Sequence, residues 1–339
     1  MRNLKLALVG FGTVGQGLAR LLSRKARYLE DAYDLNVEVT AIVDTVLGTV
    51  VDRKGIDLDW ALEKVEEDGE ISDEKDPDTL NIIGEEDFDV LAEITFTDIE
   101  TGEPAMSFIK EAIKSGKHVI STNKGPPALA MDELEELAGE NGVIYRYEGT
   151  VLSGTPCINL GSEAMGGAEV KAIRGILNGT CNYILEEMEK GTGYEEALST
   201  AQELGYAEAD PTADVEGFDA ATKIVILANK LMGASLKISD VDRGGISGLS
   251  GEDVRNPNKS GLKTKLIASA REEGGEVSVE VGVKELPVDD PLAGVNGVLN
   301  AVTFATDTLG DVTVIGPGAG SEATAQSLLA DLLAINDRQ

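Results

Sequence analysis

The stretch 204–223, LGYAEADPTADVEGFDAATK, holds Glu208, Asp210, Asp214, Glu216 and Asp219, then a single Lys223, before the sequence turns apolar at Ile224. A helix starting near Gly217 puts Asp219 and Lys223 four residues apart on one face, where carboxylate and ammonium meet. Glu208 lies upstream in a segment containing Gly205 and Pro211, free to curl over that helix. Acids facing one amine at the start of a buried helix form a pocket for a small zwitterion, with the lysine as proton carrier. The ordinary alternative for the same spacing is a surface ion pair in an acidic chain, worth about 0.3–0.5 kcal/mol.

Such a pocket needs a scaffold, and the N-terminal sequence supplies one. An apolar run at 4–9 suits a strand buried on both faces and leads into Gly10-Phe11-Gly12-Thr13-Val14-Gly15, with a helical stretch at 18–22. Glycines there permit a tight turn, close approach of backbone to a pyrophosphate and close helix packing, while the helix N-terminus offers donors to the anion. A second strand over 37–43 ends at Asp44, where an acid grips the adenosine ribose of NAD. Arg53 and Lys54 follow and are spaced to contact a 2′-phosphate instead, so NAD and NADP both stay open. Residues 52–89 turn acidic around Trp60 and Glu66-Glu67-Asp68 and read as a solvated helix plus loop.

Strand 88–94, helix 103–115 and strand 117–121 continue a βα alternation that indicates a parallel sheet. Thr95 and Thr122-Asn123-Lys124-Gly125-Pro126 then fall at strand ends, where ligands of such sheets bind. A lysine there can hold a substrate oxygen or carboxylate, and a solvated loop lysine is the alternative for Lys124. The lone histidine, His118, lies in a strand and reads as structural, which excludes any site needing two imidazoles. Strand 143–147 closes this domain. The glycine-rich turn 148–156 that follows suits either a hard monovalent cation with oxygen ligands or a plain hinge.

Beyond it come a helical 158–165, a strand 170–177 leading into NGTCNY at 178–183, two helices flanking 191–193, and a helix reaching 231. Strands return at 262–270, at the alternating Val277, Val279, Val281 and Val283, and at 300–306 and 312–315. That period of two marks a sheet with one face covered, by helices or by a partner subunit. GPGAG at 316–320 opens a helix over 322–335 that packs back on the first domain, and Gly318 sits in a turn offering backbone donors to an anion or a ribose.

At 339 residues with 42% hydrophobic content, two domains are expected. The 29 basic and 61 acidic side chains give a net charge of −32, which argues against nucleic acid or an anionic membrane as partner. It also suggests a salt-rich cytoplasm, since about 1 M salt screens charges over about 3 Å. No run approaches the roughly 20 apolar residues of a membrane span. The N-terminus reads as a first strand and not a signal peptide. Cys157 and Cys181 give neither a disulfide framework nor a metal-ligand spacing, and the cytoplasm is the simplest address.

GFGTVG (10–15), ETGEPA (100–105), TNKGP (122–126), NGTCNYIL (178–185), the stretch 204–223 and GPGAG (316–320) together resemble homoserine dehydrogenase over nearly the whole chain. The resemblance is to the short form without an ACT or kinase domain. It implies an α/β fold with a Rossmann-type doubly wound nucleotide-binding domain, 1–147 plus the C-terminal helix 316–339. An α+β catalytic and dimerisation domain with a mixed or antiparallel sheet spans 148–315. The activity implied is NAD(P)-dependent interconversion of L-aspartate 4-semialdehyde and L-homoserine, in threonine, methionine and isoleucine biosynthesis, by a homodimer.

Residue by residue, the resemblance makes Lys223 the proton carrier, with Asp219 orienting it and binding substrate, and Glu208 receiving the substrate amino group. Lys124 shares the proton-transfer or carboxylate-binding work, and both Lys124 and Gly205 serve substrate and cofactor. Gly10, Phe11, Gly12, Thr13, Val14, Gly15, Asp44, Thr95 and Gly318 hold NAD or NADP. A monovalent cation, Na⁺ or K⁺, falls on Glu148 and the carbonyls of Val151, Ser153 and Thr155. The alternatives are another amino-acid NAD(P) oxidoreductase on the same plan, or a nucleotide-sensing protein that performs no chemistry and needs none of Glu208, Asp219, Lys223 or Lys124.

Overall fold

The computed structural model describes residues 1–337, and its chain divides into two compact units, Met1–Gly154 with the segment from Gly320, and Thr155–Ala319. The expected borders at 147/148 and 315/316 are each displaced by a few residues. The turn after the last strand of the first unit packs on the C-terminal helix, and the last strand of the second unit runs on to Pro317. Positions 338 and 339 of the expected C-terminal span lie outside the described residues.

In the first unit the strands are β1 (Arg2–Val9), β2 (Leu35–Val43), β3 (Val50–Val51), β4 (Val90–Glu93), β5 (His118–Ser121) and β6 (Tyr145–Arg146). Their order is β3-β2-β1-β4-β5-β6, parallel throughout except for β3, which runs antiparallel to β2. The helices are α1 (Thr13–Tyr33), α2 (Leu58–Asp68), α3 (Thr79–Glu85), α4 (Ala105–Lys114) and α5 (Gly125–Glu140). Leu4, Leu6 and Leu8 are fully buried, as a strand covered on both faces requires, and pack with Leu18, Leu22 and Leu29 of α1 and with Leu328 and Leu332 of the C-terminal helix Ser321–Asp337. The order reverses direction between β1 and β4, so the carboxyl ends of those strands form the crevice where this architecture binds its ligand.

The acidic segment differs from the solvated helix plus loop expected of it. It forms two helices, and Ile71 and Ile83 are buried. Asp57 starts α2 by accepting from the N–H groups of Asp59 and Trp60 at 3.0 and 3.1 Å. The expected strand at 143–147 shortens to Tyr145–Arg146.

The second unit carries β7 (Val170–Ile176), β8 (Asp242–Arg243), β9 (Leu262–Glu273), β10 (Glu276–Pro287), β11 (Leu299–Thr306) and β12 (Gly310–Pro317), in the order β12-β11-β7-β9-β10-β8. Neighbours are antiparallel except β10 and β8, which makes the sheet mixed. The helices are α6 (Gly179–Lys190), α7 (Tyr194–Glu203), α8 (Thr212–Val215), α9 (Phe218–Met232) and α10 (Gly251–Lys259). Central among them, α9 packs against β7, β9 and β10 and is buried continuously from Ala220 to Ala228. Gly217 and Gly233 bound it in left-handed conformations at φ 78° and 65°. The helical stretch expected at 158–165 contains a π-turn over Leu160–Ala164. A Cβ at Gly161 would come within 2.6 Å of Leu231 of α9, so the backbone there lies unusually close to that helix.

Candidate active site

In the second unit the structure brings Asp219 and Lys223 together. Asp219 lies in the first turn of α9, where the helix dipole favours a carboxylate, and Lys223 follows one turn later. Lys223 Nζ donates to Asp219 Oδ2 at 2.7 Å and to the carbonyl of Leu177 at 2.8 Å. Both side chains are only about a tenth exposed, at 11% and 10%. An ammonium has three protons, and two are engaged here, which leaves one to direct at a ligand.

Asn178, at the junction of β7 and α6, completes the arrangement. Its Oδ1 caps α6 by accepting from the N–H of Cys181 at 2.9 Å, while its Nδ2 donates to Asp219 Oδ2 at 3.0 Å and to Asp214 Oδ1 at 2.6 Å. The Cys181 thiol beneath donates to the carbonyl of Asp214 at 3.2 Å. Burial first, then the acids around it, push that thiol up, which favours the neutral thiol over the thiolate. Asn178 and Asp214 had no individual role from sequence. The signal was an Asn-Gly-Thr at a strand-to-helix junction, a helix cap whose amide has a donor to spare.

Glu208 is not drawn into this cluster. Its side chain is exposed and its backbone carbonyl accepts from Gln202 at 3.0 Å. The segment is held through Thr180, whose hydroxyl donates to the carbonyl of Tyr206 at 2.6 Å, and it turns at Gly205, which has φ 75° and open space at the missing side chain.

In the first unit the three turn glycines divide into two roles. A Cβ at Gly10 would meet the Ile94 carbonyl at 2.4 Å, and one at Gly15 would meet the Gly10 carbonyl at 2.4 Å, so both are closed by close backbone approach. Gly12 has nothing within 4 Å and faces open space, as a backbone receiving a pyrophosphate must. It also starts α1 without a side-chain cap, so the N–H groups near Thr13 and Val14 stay available to an anion. Phe11 is wholly buried and its N–H donates to Asp44 Oδ2 at 2.7 Å, so its part in the turn is structural. The other Asp44 oxygen accepts from Val46 and Leu47 at 2.8 and 2.9 Å. Arg53 forms an ion pair with Glu86 at 2.8 Å.

Thr95 and Lys124 lie at the ends of β4 and β5, and Lys124 stands at the N-terminus of α5. Asn123, 2% exposed, joins the two ends by donating to the Phe96 carbonyl at 2.9 Å. Sequence reasoning missed Glu93, wholly buried at the end of β4. A lone carboxylate inside the apolar run Val-Leu-Ala-Glu-Ile was its signal. His118 is buried and structural, its Nδ1 accepting from the N–H of Ile144 at 2.9 Å.

Glu148 is 2% exposed, and Leu152 and Ser153 of the turn after it are left-handed at φ 55° and 54°. Ser153 Oγ is hydrogen-bonded to Thr324 Oγ1 at 2.7 Å. In the second unit Thr155 donates to the Pro317 carbonyl at 2.9 Å. Gly318 also belongs to the second unit, where a Cβ would fall 2.0 Å from Oδ1 of Asn300, a buried amide making no hydrogen bond. Among the described residues no three His, Cys, Asp or Glu side chains group to hold a metal, and no helix is long and apolar enough to cross a membrane.

Two family models match the sequence: "Homoserine dehydrogenase, NAD binding domain" over residues 10–148 and "Homoserine dehydrogenase" over 156–333. An NAD(+)-dependent homoserine dehydrogenase of Pseudomonas canavaninivorans is 44% identical, covering 99% of this chain and 97% of the relative. A homoserine dehydrogenase of Methanocaldococcus jannaschii is also 44% identical, over 97% and 98%. Among solved structures, one from Thiobacillus denitrificans superposes with a TM-score of 0.86 at 31% identity, covering 99% of this chain and 74% of that one. A hyperthermophilic archaeal homoserine dehydrogenase in complex with NADPH gives 0.85 at 29% identity, over 100% and 99%.

Proposed function

The chain belongs to the homoserine dehydrogenase family and is an oxidoreductase using a nicotinamide cofactor, and from that premise we propose that Lys223 carries the proton while Asp219 and Asn178 aim it. The observation that carries this reading is the buried Asp219, Asn178 and Leu177 cluster around one ammonium. The nicotinamide supplies or accepts the hydride at C4 of the substrate. Lys223 gives a proton to the developing alkoxide when L-aspartate 4-semialdehyde is reduced, and takes the hydroxyl proton when L-homoserine is oxidised. Asp219 balances the ammonium and accepts from substrate. Glu208, exposed on the segment after Gly205, receives the substrate ammonium, a charge match that discriminates against simple aldehydes. Lys124 holds the substrate carboxylate. Gly12 and the first turn of α1 take the pyrophosphate, and Thr95 and Gly318 contact the rest of the cofactor.

NAD is the proposed partner over NADP. Asp44 puts a carboxylate at the end of β2, and the nearby Arg53 guanidinium is occupied by Glu86. The test is the rate of nicotinamide reduction by L-homoserine with each dinucleotide. The expected result is kcat/KM at least about 10-fold higher with NAD; a preference for NADP overturns the assignment.

The turn at 148–155 is assigned to a monovalent cation. The buried Glu148 carboxylate, with the carbonyls of Val151, Ser153 and Thr155 in a turn that is left-handed at Leu152 and Ser153, supports an oxygen donor set suited to Na⁺ or K⁺. A net charge of −32 independently calls for screening. Melting temperatures in NaCl, KCl and tetramethylammonium chloride at one ionic strength separate the two effects. All three salts are expected to stabilise by screening, with Na⁺ or K⁺ adding a further increment through the site. Equal melting in all three removes the cation site, and indifference to salt removes the proposed salt-rich cytoplasm. The face of the second sheet that carries the half-buried Ala172, Arg174 and Ser269 is assigned to a homodimer contact.

A further inference from the structure

We propose that Glu93 is a positioning residue for cofactor binding, a single buried carboxyl that fixes Thr95 directly and the Lys124 loop through Ser121 and Asn123. The inference rests on the first unit being the cofactor domain. Glu93 is 0% exposed and ends β4, beside the reversal in strand order. Its Oε1 accepts from the N–H of Thr95 at 2.9 Å and from the Thr95 hydroxyl. Its Oε2 accepts from the Ser121 hydroxyl at 2.9 Å. Ser121 Oγ in turn accepts from the N–H of Asn123 at 3.0 Å. Asn123 Oδ1 accepts from the N–H of Gly125 at 3.1 Å, the first residue of α5, and its Nδ2 reaches back to the Phe96 carbonyl. One carboxyl thus stitches together the ends of two parallel strands, and Lys124 sits inside the stitch.

Two donors of Thr95 and the Ser121 hydroxyl converge on Glu93, with the Asn123 amide beside them, an arrangement that an ionised carboxylate satisfies fully. A protonated carboxyl must donate its hydrogen to the Thr95 or Ser121 hydroxyl, which then turns from donor to acceptor and replaces a charge-assisted bond with a weaker neutral one. Burial pushes this group up to about 7, against the hydrogen bonds from Thr95, Ser121 and Asn123 that pull it down. The titratable group facing it from the next strands is Tyr145 on β6, a neutral phenol that is itself buried and raised by burial. From β1 its partner in the ladder is Val9, which is apolar. The loops are therefore held in this geometry as pH rises through about 7. The effect on overall stability has the opposite sign. The folded carboxyl is raised above its ordinary 4.5, so its contribution is present below that value and lost as pH rises through about 7.

The test is direct NADH binding, followed by fluorescence, for the wild type and Glu93→Gln at about pH 6 and about pH 8. Glutamine keeps the shape and imitates the neutral acid. The wild type is expected to bind about 5- to 10-fold more tightly at the higher pH, and Glu93→Gln to bind with the weaker affinity at both. A Gln variant that keeps wild-type affinity and pH dependence overturns the proposal. Should that variant fail to fold, Ser121→Ala removes the Oε2 contact alone. It is expected to weaken NADH binding about 3-fold and to move the pH midpoint upward, and unchanged binding overturns the proposal equally. A wild type that binds no NADH defeats the cofactor reading instead.

Discussion

Replacing Lys223 with alanine is expected to lower kcat for homoserine oxidation by about 10²- to 10⁴-fold, the usual worth of a positioned acid-base group, with little change in NAD affinity. The expectation follows from how completely the cluster is spent on one atom. Asp219 and the Leu177 carbonyl each take a proton of Nζ, and Asn178 holds Asp219 from the other side. Alanine leaves a carboxylate without its ion partner, yet Asp219 keeps Asn178 and the N-terminal turn of α9. The fold should survive that loss. Lys223→Arg separates charge from proton transfer, because a guanidinium stays protonated at any working pH. It is expected to restore stability and not turnover. Steady-state rates for both variants beside thermal melting check this, and an alanine enzyme within about tenfold of wild type would remove Lys223 from the proton path.

That cluster was half legible in the sequence, for a definite physical reason. The i, i+4 spacing places Asp219 and Lys223 on one helical face whatever surrounds them, and the apolar run after Lys223 announces burial. The glycine turn was readable for the same reason, since three glycines at fixed spacing between a strand and a helix answer a backbone requirement. Asn178 and Asp214 come from other elements, and only the folded chain brings them within reach of Asp219 or of each other. Glu93 is the sharper case. A sequence cannot say whether a carboxylate ending an apolar strand turns to solvent or, as here, collects donors from the next strand. Glu208 shows the converse, because its Gly- and Pro-containing segment reads as free to curl over the helix while the folded segment leaves the side chain exposed. The helix expected at 158–165 acquired a π-turn where its backbone approaches Leu231 of α9, a neighbour 70 residues away (231 − 161) that no local propensity encodes.

Asp331→Ala is expected to be the most destabilising single change in the first unit. Asp331 is fully buried in the C-terminal helix and accepts from Arg146 Nε at 2.9 Å and from the N–H of Glu148 at 2.9 Å. Arg146 itself is 8% exposed. Removing one member of a buried pair takes from Arg146 its charge-assisted bond to Asp331, a loss of up to about 3–5 kcal/mol and a fall in Tm on the order of 10 °C. The same carboxylate joins β6, the turn at Glu148 and the C-terminal helix, so its loss loosens the segment assigned to the cation as well. Any Na⁺- or K⁺-specific stabilisation should shrink with it. Asp331→Asn keeps an acceptor for Glu148 but not the charge for Arg146, and should fall between. A double variant, Arg146→Met with Asp331→Leu, removes both charges and is expected to recover much of the lost stability, because burial of the remaining charge and not the missing attraction dominates the single change. If Asp331→Ala melts within about 2 °C of wild type, water reaches Arg146 and the pair does not anchor the helix.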